Sequence, residues 1–439
     1  MTDLLAARSQ MAISLMFHIL FAMAGMAMPV LMVISEALWL RTGRALYLDL
    51  TRRWAKGTAI LFAVGAVSGT VLSFELGLLW PAFMQLAGPV IGIPFALEGF
   101  AFFTEAIFLG IYLYGWDRVP PRAHWWAGVV VAGSGGLSAV FVVTANAWMN
   151  TPAGFDLVDG KMTNIDPVAA MMSPAAFPEA LHMLLSAYAA VGFAVAGIHA
   201  FVLLRHPGDP FHRAALAIAL LVGGPAALLQ PLSGDVLARM VADTQPAKLA
   251  ALEGQFETET GAPLRIGGLP DPESGTTRWA IEIPHGLSLL AHHDPQATIV
   301  GLNDIPRESW PNPVIVHLSF QVMVACGTAM ALLSVAAGFL AWRRRRLPEA
   351  LPIERWLLRS LVVASPLGVL GIEAGWFVTE AGRQPWIIQG VMRTRDALTP
   401  MPGLTIPLVT ITLVYLALGV IVIALLRRHV ISTVPSVPV

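Results

Sequence analysis

Cysteine is nearly absent from this chain, and charge is scarce. One cysteine among 439 residues, Cys326, excludes an intramolecular disulfide framework, and its setting in VMVACGT reads as a small packing residue. Charged residues amount to 13% and almost cancel, with 27 Lys and Arg against 28 Asp and Glu. A balance this close to zero offers no basic surface for nucleic acid. No GxxxxGK occurs, so a phosphate-cradling loop for ATP-driven work is missing, as is the helical zinc spacing HExxH. No internal repeat or low-complexity tract is visible, and with it goes the inverted-repeat signature of many secondary transporters.

Apolar sequence is what abounds. Hydrophobic residues make up 56% of the chain and mean hydropathy is +0.69, beyond what a soluble domain of this size carries. The fold class is therefore an all-α polytopic membrane protein, read as a single membrane domain. Apolar runs predict nine transmembrane helices, at about 11–39, 55–79, 92–116, 124–148, 178–204, 213–232, 312–342, 357–380 and 403–426. The first run is too long for a signal-peptide core and no small-x-small cleavage site follows it, so it is expected to remain a helix. Orientation follows from the basic residues. Arg41, Arg44, Arg52, Arg53 and Lys56 follow the first run, Arg118 and Arg122 the third, and Arg205 and Arg213 the fifth. Arg343 to Arg346, Arg355 and Arg359 follow the seventh, and Arg427 and Arg428 the last. That face is expected to be cytoplasmic, which puts the N-terminus outside. One long outer loop, 233–311, separates helices six and seven, and loops of this length are usually functional. Within it PAKLAALEGQFET suits a short amphipathic helix, and GGLPDPESG must turn.

Several ionisable residues fall inside the apolar runs, where each is costly unless partnered. Counted from the outer ends of the predicted spans, His18, Glu98, His182 and Glu373 lie about four to seven residues down, in one slab near the outer surface. Met323 lies deeper, at about 16 Å, and alone would be ordinary core. Glu105 follows Glu98 by seven residues, nearly two turns, so the two share a helix face and suit a proton relay. Ser138 and Asn146 are small polar groups that can extend such a path. Two His, a Met and carboxylates suit haem iron, because His and Met are common axial ligands. The absence of CxxCH makes any such haem non-covalent. Residue types alone leave two classes open, a membrane redox protein and a proton-coupled carrier.

The strings RSQMAISLMFHILF, GTVLSFELGLLWP, ALEGFAFFTEAIFLGIYLYGWDR, SAVFVVTANAWMNTPAGF, KLAALEGQFET, VMVACG and EAGWFVTEAGRQPW occur in order along the chain. Together they resemble subunit I of the cytochrome bd-type quinol oxidases, and GRQPW is among that family's most specific strings. The resemblance implies a nine-helix subunit of the bacterial cytoplasmic membrane that oxidises quinol on the outer side and reduces oxygen to water with cytoplasmic protons, without a pump. It implies three haems. His182 and Met323 match the axial ligands of a low-spin haem b. His18 and Glu373 match ligands of two high-spin haems, b plus d or b plus b, and Glu98 an acid beside that pair. Lys248 and Glu253 match charged residues of the quinol-binding loop; five apart, they point about 140° from each other in a helix. Trp376 can cover the face that carries Glu373, while Arg383 and Trp386 are placed to meet haem propionates or shape the quinol region. Proton delivery falls to Glu105 and Glu98. Implied partners are a subunit II, in a heterodimer, and small single-span subunits. Two departures stand out. Many members carry Arg two residues before the Met ligand, where this chain has Gln321, and Trp four residues before the ligand Glu, where counting from Glu373 gives Val369. With an outer loop that is short for that family, these suggest the cyanide-insensitive branch. A haem-bearing quinol dehydrogenase that never touches oxygen, and a proton-coupled transporter, are the alternatives.

Overall fold

The structure, a computed structural model, describes residues 1–344 and 354–431; Arg345 and Arg346 of the basic cluster lie outside them. Four long helices come first: α1 Asp3–Thr42, α2 Ala45–Leu79, α3 Pro81–Tyr114 and α4 Pro121–Asn150. A short hairpin (β1 Asp156–Val158, β2 Lys161–Thr163) and α5 Pro167–Met171 lead to α6 Ala176–Leu203 and α7 Pro210–Thr244. After the cap described below come α10 Pro313–Arg344, α11 Arg355–Ala364, α12 Leu367–Arg383, the pair β9 Trp386–Ile388 and β10 Met392–Arg393, and α13 Thr405–Leu426. Taking α11 and α12 as one span, nine helices among the described residues are long and apolar enough to cross a membrane. The nine apolar runs are thus nine spans, but their ends differ from those the sequence predicts.

Most helices outrun their apolar stretch at one end or both because local chemistry carries them on. Thr2 caps α1, its hydroxyl accepting from Leu5 N at 3.3 Å, so the helix begins eight residues before the apolar run. Pro opens α3, α4, α7 and α10, positions where a missing N–H costs nothing and the fixed φ helps. α7 continues through 233–244, the stretch expected to begin the outer loop, and Asp235 and Arg239 pair one turn apart on it. The eighth span breaks at Ser365–Pro366, since proline has no N–H to give the preceding turn.

The remainder of the long loop folds as a cap. It holds α8 Pro246–Glu253, α9 Gly286–His292 and three antiparallel pairs: β3 Glu259–Thr260 with β8 Thr298–Ile299, β4 Leu264–Ile266 with β7 Ile281–Ile283, and β5 Leu269–Asp271 with β6 Thr276–Arg278. The last pair closes the expected turn, where Asp271 accepts from Glu273 N and Ser274 N. Leu249, Leu252, Phe256, Leu287, Ile299 and Leu302 bury a common core that reaches Val316 of α10 and Val378 of α12. Polar groups fasten the cap as well. His317 of α10 bonds Leu252 O at 2.7 Å and Gly267 O at 3.0 Å, and Gln321, one turn on, bonds Gly267 N and Arg265 O at 3.0 Å each. Gly267 and Gly268 have φ of +67° and +99°, a backbone path that side-chain-bearing residues rarely take, and it lays this loop against α10.

Candidate functional site

Helix α4 serves as a ruler, because residues of its neighbours bond or abut it at successive levels. Asn150, at its loop end, donates to Glu179 Oε1 of α6 at 2.9 Å and accepts from Lys248 Nζ of α8 at 3.3 Å. Asn146, one turn on, donates to Glu380 Oε1 of α12 at 2.6 Å, and Glu380 Oε2 accepts from Arg383 at 2.7 Å. Two turns further, Ser138 donates to Glu98 of α3 at 3.1 Å. Glu105 then lies against Gly135 of α4 and Gly25 of α1, each lacking the Cβ that would crowd its carboxyl. Tyr112 meets Gly128 in the same way, and its hydroxyl donates to Glu36 of α1 at 2.6 Å. Glu36 also bonds His124 Nδ1 at 2.7 Å.

This ruler divides the expected slab into two tiers. His182 follows Glu179 by three residues, one turn from the Glu179–Asn150 bond at the loop end. Glu373, seven residues from Glu380 along α12, reaches the level of Ser138 and Glu98, about 10 Å deeper. His18, seven residues before Gly25, reaches that same deeper level. Depth counted from the ends of apolar runs misplaced His182 because the helices project unequally beyond those runs. Met323 lies between the tiers, its Sδ against Gly375 of α12. Asn146 belongs to the upper tier with Glu380, not to a path with Glu105; Ser138 alone joins Glu98.

The two histidines sit in matching surroundings. His18 Nδ1 lies 3.0 Å from Ser68 Oγ of α2, and His182 Nδ1 lies 3.0 Å from Ser233 Oγ of α7. Both serine hydroxyls donate to their own helix backbone, Ser68 to Val64 O and Ser233 to Gln230 O, each at 2.9 Å. With each serine proton on its backbone carbonyl, the serine accepts from Nδ1–H and each Nε2 presents a lone pair. A glycine follows each serine, and a Cβ there would stand 2.9 Å (Gly69) or 3.3 Å (Gly234) from the imidazole Cε1. The shared Ser-Gly of VSGTV and LSGDV is the signal in the sequence that marks both settings. Gln230 Nε2 lies 3.0 Å from His182 Nε2 and would have to yield to a metal.

Helix α12 offers two carboxylates on one face, Glu373 and Glu380. Glu373 Oε2 is buried with no partner among the described residues, whereas Glu380 is held at both oxygens and keeps a third of its side chain open. Trp376 lies four residues before Glu380, the Trp spacing that Val369 fails to give for Glu373. Arg383 is 2% exposed, and its Nε and Nη1 have no acceptor among the described residues. Trp386 follows in β9 beneath Arg393, whose guanidinium lies 5.3 Å from the ring centre.

In the cap, Lys248 and Glu253 are both buried on α8 and diverge. Burial holds the Lys248 ammonium down to about 8, with Glu179 opposing. Burial pushes the Glu253 carboxyl up to about 7, with Arg265 opposing, and Glu253 Oε2 has no partner among the described residues. Glu179, Asn150, Glu380 and His317 join these groups to the helices and were not singled out from sequence. Glu179 stood at a helix start, where an acidic residue is ordinary.

Fold and site together define a polytopic helical membrane protein with ligand-type side chains buried in two tiers beneath a compact polar cap. The chain matches the family model described as cytochrome bd terminal oxidase subunit I over residues 6–434. It is 38% identical over 437 residues to a Bacillus subtilis (strain 168) protein provisionally named cytochrome bd menaquinol oxidase subunit I, with 98% of each chain covered. It is 31% identical to the cytochrome bd ubiquinol oxidase subunit 1 of the same organism, over 98% of this chain and 94% of that one. The solved bd oxidase structure from Geobacillus thermodenitrificans superposes with a TM-score of 0.89 at 39% identity, covering 98% of this chain and 99% of that one. The chain belongs to the cytochrome bd terminal oxidase subunit I family. Membership makes it a haem-carrying subunit of a quinol:oxygen oxidoreductase, paired with a subunit II. With its nine apolar helices it is a multi-pass protein of the bacterial cytoplasmic membrane.

Proposed function

We propose that His182 and Met323 are the axial ligands of a low-spin haem b, and that His18 and a carboxylate of α12 ligate within a high-spin pair, b plus d or b plus b. The observation that carries this reading is the matched setting of the two histidines, each held by a serine in the tautomer that leaves Nε2 able to bind iron. The rest of the donor set agrees, since Met323 offers a thioether and the unpartnered Arg383 nitrogens suit propionates. Bound here, haem supplies one-electron transfer and oxygen reduction. Of the two α12 acids, Glu380 is the better ligand, because only it has Trp four residues before it and an open face. Glu373 is then a second acid at the level of Glu98. Gln321 in place of Arg removes one positive charge beside the low-spin haem and lowers its potential.

The cap together with the last turns of α7, residues 233–311, is proposed as the quinol-binding region. Glu253 takes a proton from the quinol hydroxyl and Lys248 donates a hydrogen bond to a quinone oxygen. The basic face is taken as cytoplasmic, so protons leave on the cap side, while Glu105 and Glu98 hand protons inward from the opposite side. Charge separation then needs no pump. Small single-span subunits would complete the heterodimer. The test is a dithionite-reduced spectrum with pyridine haemochrome analysis on wild type, His182→Ala and Met323→Leu. Both variants should lose the low-spin signal while keeping carbon monoxide binding at the high-spin site. A normal low-spin spectrum in both would overturn the ligand assignment.

A further inference from the structure

Gln10, Ser14 and His18 lie one turn apart along one face of α1, and α2 meets them with Glu75 and Ser68, seven residues apart on one face. Glu75 Oε1 accepts from Gln10 Nε2 and from Ser14 Oγ at 2.9 Å each, while Ser68 holds His18. Helix α13 closes the third side with Tyr415, whose ring stacks on Phe17 at 4.3 Å and whose hydroxyl faces Ser14 and Glu75. Gln10, Ser14, Glu75 and Tyr415 are each more than nine-tenths buried. Even so, Gln10 Oε1 and Glu75 Oε2 have no hydrogen-bond partner among the described residues, and the Tyr415 hydroxyl, with Ser14 alongside, makes no well-aligned bond there.

Buried polar atoms forfeit their hydration unless something replaces it. The carboxylate and amide oxygens can only accept, and the phenol can donate. A molecule that donates twice and accepts once satisfies all three, which is what a buried water does with its usual three or so bonds. We infer that Gln10, Glu75 and Tyr415 hold an internal water, and that the polar column from Gln10 through Ser14 and Ser68 to His18 is a water path. The path spans about 12 Å along α1. It runs from the level of His18 towards the loop end of the bundle, where, about 10 Å beyond Gln10 along α1, Asp3 accepts from Gly403 N and Leu404 N and ties α1 to the start of α13. Oxygen reduction makes water, and among the apolar side chains of α1 this column supplies the hydrogen bonds along which it can leave. The inner end of the path rests on the His18 reading above; the water site does not.

Two measurements on the assembled oxidase test it. Cryo-electron microscopy that shows ordered water should find one density within hydrogen-bond reach of all three oxygens. An empty site, a direct Glu75–Tyr415 bond, or a density that follows the sodium concentration overturns the water assignment. For the path, the single cysteine allows a clean background, Cys326→Ala. In it, Ser14→Cys should react with a charged methanethiosulfonate about tenfold faster than Ala27→Cys, a fully buried apolar position on the same helix, because only a wetted thiol ionises. Equal rates overturn the path. A His18→Ala variant with an unchanged haem spectrum would overturn the inner end, while the density still decides the water.

Discussion

In the roles proposed for them, Glu253 must be ionised to take a proton from quinol, and Lys248 must be protonated to donate to it. Burial raises the first to about 7 and lowers the second to about 8, so the working pair exists in a narrow window between those values. We predict a bell-shaped pH profile of kcat/KM for quinol, rising through about 7 as Glu253 ionises and falling through about 8 as Lys248 loses its proton. Initial rates across the pH range check this, and Glu253→Gln should remove the rising limb along with most of the activity. At α12, Glu380→Gln should change the high-spin spectrum while Glu373→Gln leaves it near normal. The reverse result would return the ligand role to Glu373. Residue types inside apolar runs were legible because they stand out there. Glu380 was not, because it closed the predicted span, which hid its place as the second acid on the Glu373 face. Glu179 and Asn150 were equally hidden, since a carboxyl and an amide at helix ends have ordinary uses and only the fold brings them to Lys248.

The helices were readable as apolar runs, yet the contacts that fix them to one another were not. Gly192 of α6 and Gly223 of α7 show why: a Cβ on Gly192 would fall 2.5 Å from the Gly223 Cα. That backbone approach brings together the two helices that carry His182 and Ser233. Glycine is common in transmembrane helices, so its presence marks no particular partner. Gly192→Ala should therefore force α6 and α7 apart, cost about 1–3 kcal/mol and weaken the low-spin signal, as thermal melts and reduced spectra will show. Gly88→Ala, which meets nothing within 4 Å, should leave both unchanged. The helix ends and the break at Ser365–Pro366 escaped apolar-run counting for a related reason. Caps, opening prolines and the Asp235–Arg239 pair extend or stop a helix without changing its hydropathy.

Across the whole molecule the acids descend in order, from Glu380 and Glu179 beneath the cap, through Glu98 and Glu373, to Glu105, and then to the Tyr112–Glu36–His124 cluster near the opposite end. Residues 98, 105 and 112 follow one another at seven-residue steps on α3, and α4 meets them with Ser138, Gly135 and Gly128. The first step was visible in sequence as a spacing. Its continuation to Tyr112 was not, because Glu36 and His124 come from helices whose register against α3 only packing decides. If protons for oxygen reduction travel this face, interrupting it must slow turnover without disturbing the ligands, which lie elsewhere. Glu105→Gln keeps the size of the side chain and its fit against Gly25 and Gly135 but removes the ionisable proton. Turnover should fall about a hundredfold, the size expected for losing a positioned proton carrier, while the reduced and carbon monoxide spectra stay near wild type. In proteoliposomes the residual activity should still release protons on the cap side in step with the electrons and no more, as the proposed quinol oxidation under Lys248 and Glu253 requires. A variant with undiminished turnover would remove Glu105 from the path. One that released extra protons on the cap side would show that a pump, not separation by sidedness, sets the proton yield.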